Sequence, residues 1–210
     1  LRLLFVVGAP LDDGRIRPAA EYYCLTRELH HHERPLDKRL LLEATPRRLE
    51  EAVAEHRPHV VHIVAHGGMT AGEPYVRLMA ERHEDPQPLT AKGLAACLRH
   101  AEEGDPPDTR TRMPPIVLLS VCHTGASGRS DAEAPMAAQL VREGVRVAVG
   151  MGGKVADQAC RLFARRFYVE LFARGSVIGG AAVARRAALR SGLTMAGGVD
   201  WARPALFVAA

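Results

Sequence analysis

The sequence predicts an α/β fold on a mainly parallel sheet of about six strands flanked by helices. Three observations carry this expectation. Short apolar, β-branched runs alternate with helix-like segments, the pattern of β-α units feeding a parallel sheet. The chain has 210 residues and is 47% hydrophobic, enough for one sizeable core and so for one domain over residues 1–210. Two of the apolar runs, "HVVHIVAHGG" and "IVLLSVCHTG", stop abruptly in polar residues and glycine. In a parallel sheet such endings open onto one crevice, the usual ligand site of α/β proteins.

In chain order, "RLLFVV" (2–7) is the first strand and "PAAEYYCLTRELHH" (18–31) the first helix. "RLLLEA" (39–44) follows as a strand, then the helix "TPRRLEEAVAEH" (45–56), for which Thr45 followed by Pro46 is a good start. "HVVHIVA" (59–65) is a strand, and the loop-rich "GGMTAGEPYVRLMAERHEDPQP" (67–88) has room for a short hairpin. "LTAKGLAACLRHA" (89–101) is helical, and "EEGDPPDTRTRMPP" (102–115) is a second loop-rich insertion. "PIVLLSV" (115–121) is the central strand. "APMAAQLVREG" (134–144) is a helix stopped by Gly144, and "VRVAVG" (145–150) a strand. "VADQACRLFARRFYVELFARG" (155–175), stopped by Gly175, and "SVIGGAAVARRAALR" (176–190) are helices, and "ALFVA" (205–209) is the last strand. There is no internal repeat and no low-complexity tract.

Charge and composition narrow the function classes. The formal charge is +4, from 28 basic and 24 acidic residues, and only Lys38, Lys92 and Lys154 are lysines. Such a small excess reads as a solvated surface and gives no support to nucleic-acid binding. No apolar run approaches the roughly 20 residues that span a bilayer, and "LRLLFVVGAP" is too short and wrongly flanked for a signal peptide. A cytoplasmic protein without a membrane partner is expected. The sequence starts at Leu1 with a strand-like pattern at once, so it is expected to come from a longer polypeptide.

The four cysteines form no C-x-x-C pair and are expected to be reduced thiols. Cys24, Cys97 and Cys160 fall in helix-like stretches, where cysteine acts as a small hydrophobe. Cys122 stands where its apolar run gives out. It is either a buried thiol at a strand end or a nucleophile. If the two strands pair, His66 faces Cys122, and an imidazole there takes or shares the thiol proton, because thiolate is the attacking species. Glycines beside both residues let backbone N–H groups approach a carbonyl and hold the oxyanion formed on attack. Acyl transfer is the natural reaction class.

Other features have milder readings. His62 shares strand parity with His66 and is a packed histidine, a support for the site or half of a metal pair. His62, His66, Cys122 and His123 match no established zinc spacing, and "HHH" (30–32) is a helix-end tail, so no metal and no cofactor is expected. "GMGGKV" (150–155) follows a strand but completes neither phosphate-loop pattern. Phe163, Phe167, Tyr168 and Phe172 recur at helical spacing and read as core.

"VVHIVAHGG", "IVLLSVCHTG", the block "VREGVRVAVGMGGKVADQACRLFARRFYVELFARGSVIGGAAVARRAAL" and the closing "WARPALFVA" together resemble a CHAT domain, the caspase-like, separase-related peptidase domain of clan CD. His66 and Cys122 are 56 positions apart, near the roughly 50 of caspases, although the caspase string Q-A-C-x-G is absent. The resemblance implies a caspase-like three-layer sandwich and a cysteine endopeptidase cleaving a protein substrate through a His66–Cys122 dyad. It further implies an oxyanion site at Gly67 and the Cys122 amide, and a helical-repeat or sensor partner that switches the domain on. Ser120 stands where metacaspase-like relatives carry an aspartate that binds a basic substrate residue. "VAD", ending in Asp157, resembles the acidic "VTD" of separase-like members, so Asp157 is either a pocket acid or the cap of the next helix. The alternative to a peptidase is the same fold with an idle dyad, signalling by docking to protein partners.

Overall fold

The computed structural model describes residues 1–30, 35–81, 88–101, 112–122, 135–153, 155–192 and 200–210. Its centre is a six-stranded sheet in the order β2-β1-β3-β7-β8-β9. The strands are β1 (Arg2–Val7), β2 (Asp37–Leu41), β3 (Val60–Val64), β7 (Ile116–Ser120), β8 (Val147–Met151) and β9 (Pro204–Val208). All pairings are parallel except that of β8 with β9. Strands buried on both faces need near-continuous apolar runs. In β1, Leu4 and Val6 enter one core while Leu3, Phe5 and Val7 enter the other.

Helices complete the three layers. On one face lie α2 (Pro46–His56), α3 (Ala91–Leu98) and α4 (Met136–Arg142), which bury Leu49, Leu94 and Leu140 against the sheet. On the other lie α1 (Pro18–Leu29), α5 (Asp157–Arg174) and α6 (Val177–Ser191). Phe163, Phe167, Tyr168 and Phe172 of α5 are buried there, as their helical spacing predicts. The expected punctuation is present: the Thr45 hydroxyl caps α2 by accepting the Arg48 N–H with Pro46 in the first turn, and Gly144 and Gly175 have positive φ after α4 and α5.

The loop-rich stretch after β3 holds more than a hairpin. β4 (His66–Thr70), β5 (Glu73–Arg77) and β6 (Pro88–Leu89) form a second, antiparallel three-stranded sheet. Ala71 and Gly72, both with positive φ, make the two-residue β4–β5 turn, whose twist suits a hairpin. Among the described residues, no helix is long and apolar enough to cross a membrane.

Candidate active site

The site follows from register. β3 and β7 pair in parallel with Val64 opposite Ser120. Two residues beyond that couple, after either strand, come His66 and Cys122. Both line one cavity of about 420 Å³ at the carboxyl end of the sheet, together with Gly67, Ser120 and Asp157. All five residues singled out in the sequence thus reach the same cavity. Cys122 is a free, half-buried thiol, while Cys97 lies in the core, where burial first and Glu50 second push its thiol up to about 12. Gly67 is a close-approach position. A Cβ there would sit 2.3 Å from a Val121 methyl, 2.7 Å from the Cys122 carbonyl oxygen and 2.8 Å from the Tyr75 carbonyl oxygen.

A third residue completes the group: Asp13, whose Oδ2 is hydrogen-bonded to His66 Nε2. It lies in the loop after β1, and β1 is the neighbour of β3, so this loop opens on the same edge of the sheet. The Asp13 carboxyl is held below the usual carboxylate range, mainly by the His66 hydrogen bond and then by the Arg15 backbone N–H at 2.8 Å. Sequence reasoning identified no third residue. The signal lay in the strand order, because a carboxylate just past the end of the strand beside β3 belongs to the same crevice.

The cavity floor is polar and buried. Ser120 Oγ donates to Glu21 Oε1 at 2.8 Å, and His62 Nε2 lies 3.0 Å from both Ser120 Oγ and Glu21 Oε1. Glu21 also lines the cavity. His62 is packed against the rings of Phe5 and Tyr168, so it is the core histidine of the three readings, with a polar edge beneath the site. Glu21 is a second residue the sequence reading missed. Pro18, Glu21, Leu25 and Leu29 form the buried stripe of α1, and an acid on an apolar stripe is the legible clue. The Tyr168 hydroxyl, raised well above its ordinary value by burial and then by Glu21, stays protonated below this floor.

Asp157 is the first residue of α5, and the N-cap is Ala156 without a side-chain cap bond, which removes the capping alternative. Its carboxylate accepts the Arg17 backbone N–H at 3.2 Å and pairs with Arg161, joining the start of α1 to the start of α5. A negative charge in the first turn also complements the helix dipole. In the glycine string, Gly150 and Met151 finish β8, and the Gly152 N–H donates to the Arg203 carbonyl at 2.8 Å. His31, His32, His123 and Lys154 lie outside the described residues.

A thiol, an imidazole held by a carboxylate and a glycine backbone at one mouth are the groups that acyl transfer requires. A search of curated proteins gave no match. A sequence model of the CHAT domain matches residues 17–207, and the chain belongs to this caspase-like, cysteine-peptidase-related family.

Proposed function

We infer that the chain is a cysteine endopeptidase in which Cys122 is the nucleophile and His66 its proton carrier. The observation that carries this is the single cavity of about 420 Å³ lined by both residues. Asp13 occupies Nε2 of the ring, which leaves Nδ1 as the nitrogen for the thiol proton. The thiolate attacks the peptide carbonyl and the C–N bond breaks as His66 returns the proton to the leaving amine. Water, deprotonated by the same imidazole, then releases the acyl group from sulfur. The Gly67 and Cys122 amides are the oxyanion donors in this reading, and the glycine at 67 keeps that backbone bare toward the Cys122 turn. Activation by a partner or sensor region belongs to the same reading.

The experiment is labelling with a peptidyl electrophile, read by mass spectrometry at each cysteine. Cys122 reacts first and the buried, weakly acidic Cys97 last, and His66→Ala slows Cys122 alone. Equal, slow labelling of all four thiols overturns the peptidase reading and leaves the docking alternative.

A further inference from the structure

Helices α5 and α6 leave a groove of about 520 Å³ between them, separate from the cavity that holds Cys122, with which it shares no lining residue. Leu162 of α5 and Val183 and Ala187 of α6 give it an apolar floor, and Arg166, Arg186 and Arg190 stand around them. Helical spacing produces this arrangement. Leu162 and Arg166 are one turn apart, and Val183, Arg186, Ala187 and Arg190 fall at i, i+3, i+4 and i+7 on one face. Val183 is 37% exposed, an apolar side chain that folding leaves in solvent.

These three cations have no counter-charge among the described residues. Every other arginine of the two helices has a partner: Arg161 pairs with Asp157, Arg165 with Glu28 and Arg174 with Glu170, while Arg185 donates to the Pro204 carbonyl. Those pairs occupy both acids of α5, and α6 contains none. Like charges at i, i+4, as Arg186 and Arg190 are, work against a helix. The helix dipole favours Arg190 in the last turn of α6, but not Arg186 or Arg166, which lie further back. Helix stability therefore does not account for the cluster. An apolar strip edged by guanidinium groups matches a peptide in which carboxylates flank an apolar side chain. A nucleic-acid strand fits less well, because among the described residues no aromatic ring lines the groove for a base to stack on. We propose that the α5–α6 groove docks an acidic peptide segment of a partner protein. Arg166, Arg186 and Arg190 pair with its carboxylates, and Leu162, Val183 and Ala187 receive the apolar side chain between them.

The test is fluorescence anisotropy with a labelled peptide of glutamates flanking one leucine, against the same peptide with glutamine for each glutamate. The protein should bind the acidic peptide at least about tenfold more tightly, the combined effect of a few exposed ion pairs. That preference should shrink as salt is added. Arg186→Gln with Arg190→Gln should remove most of it. Arg142→Gln with Arg146→Gln, which lowers the net charge equally at exposed positions outside the groove, should leave it. Glycine in place of the leucine should weaken binding several-fold. Equal or absent binding of the two peptides overturns the proposal, and so does a leucine-free peptide that binds as well. An equal loss in the Arg142 and Arg146 variant also overturns it, since the attraction would then be diffuse. Tighter binding of an oligothymidylate of equal charge, lost with Arg186 and Arg190, would assign the groove to nucleic acid instead. Cys122→Ala should change none of these values, so failure of the groove and failure of the peptidase reading are told apart.

Discussion

Gly67→Ala is the sharpest perturbation of the site. The added methyl would lie 2.3 Å from the Val121 methyl, against a comfortable carbon–carbon contact of about 3.5–4.0 Å, so that side chain must retreat by more than about 1 Å. The Cys122 and Tyr75 carbonyl oxygens, at 2.7 and 2.8 Å, are backbone atoms, and no rotamer change moves them. Overpacking of this kind costs about 1–3 kcal/mol, a fall of several degrees in Tm for a chain of this size. Relief requires displacement of the turn that carries Cys122, and a shift of about 1 Å at a reacting group costs about a hundredfold in rate. The assay pairs a thermal melt followed by circular dichroism with the rate of Cys122 labelling by a peptidyl electrophile. Wild-type Tm in the variant would refute the steric argument. A lowered Tm with wild-type labelling would refute the claim that Gly67 and Cys122 share one rigid mouth.

Three further outcomes are expected. Asp13→Asn keeps an acceptor for His66 but replaces the carboxylate on its ring with a neutral amide, so Cys122 labelling at pH 7 should slow about tenfold, while Asp13→Glu should keep most of the rate; no loss in Asp13→Asn would mean Asp13 only holds the loop. His56 and His59 have lowered values, chiefly through burial, so the unfolded chain binds their protons first. Stability is then complete above the unfolded histidine value near 6.5 and is lost as pH falls below it, which urea midpoints from pH 7.5 to 5 should register, with the slope reduced in His59→Gln. Gly93→Ala in α3 meets only Leu89 Cδ2 at 3.4 Å as its nearest neighbour, and should stabilise by about 0.5–1 kcal/mol in the same titration, opposite in sign to Gly67→Ala.

The sheet was legible because its strands are buried on both faces and leave long apolar runs, and because Thr45, Gly144 and Gly175 mark helix ends with their own chemistry. The apolar pattern places β2 at "RLLLEA" (39–44), two residues later than the observed Asp37–Leu41, since an edge strand exposes polar residues and blurs the pattern. Of the second sheet the sequence pattern shows only a hairpin, because β6 is two residues long and carries no period of its own. His66 and Cys122 could be paired from sequence since each ends an apolar run. Asp13 and Glu21 could not be chosen among 24 acidic residues until the strand order and the buried face of α1 were known. Asp13 also precedes the 17–207 segment that carries the family match.

His66 opens the first strand of the small sheet, whereas Cys122 follows the last residue of β7 in the large one by two positions. Only Ala65 separates β3 from β4. The ring therefore takes its tilt from the hairpin, and the sulfur takes its height from the central layer. The bare backbone of Gly67, set close on Val121 and the Cys122 carbonyl, is what couples the two sheets, so a load on the hairpin reaches the sulfur as well as the ring and the pair keeps its alignment.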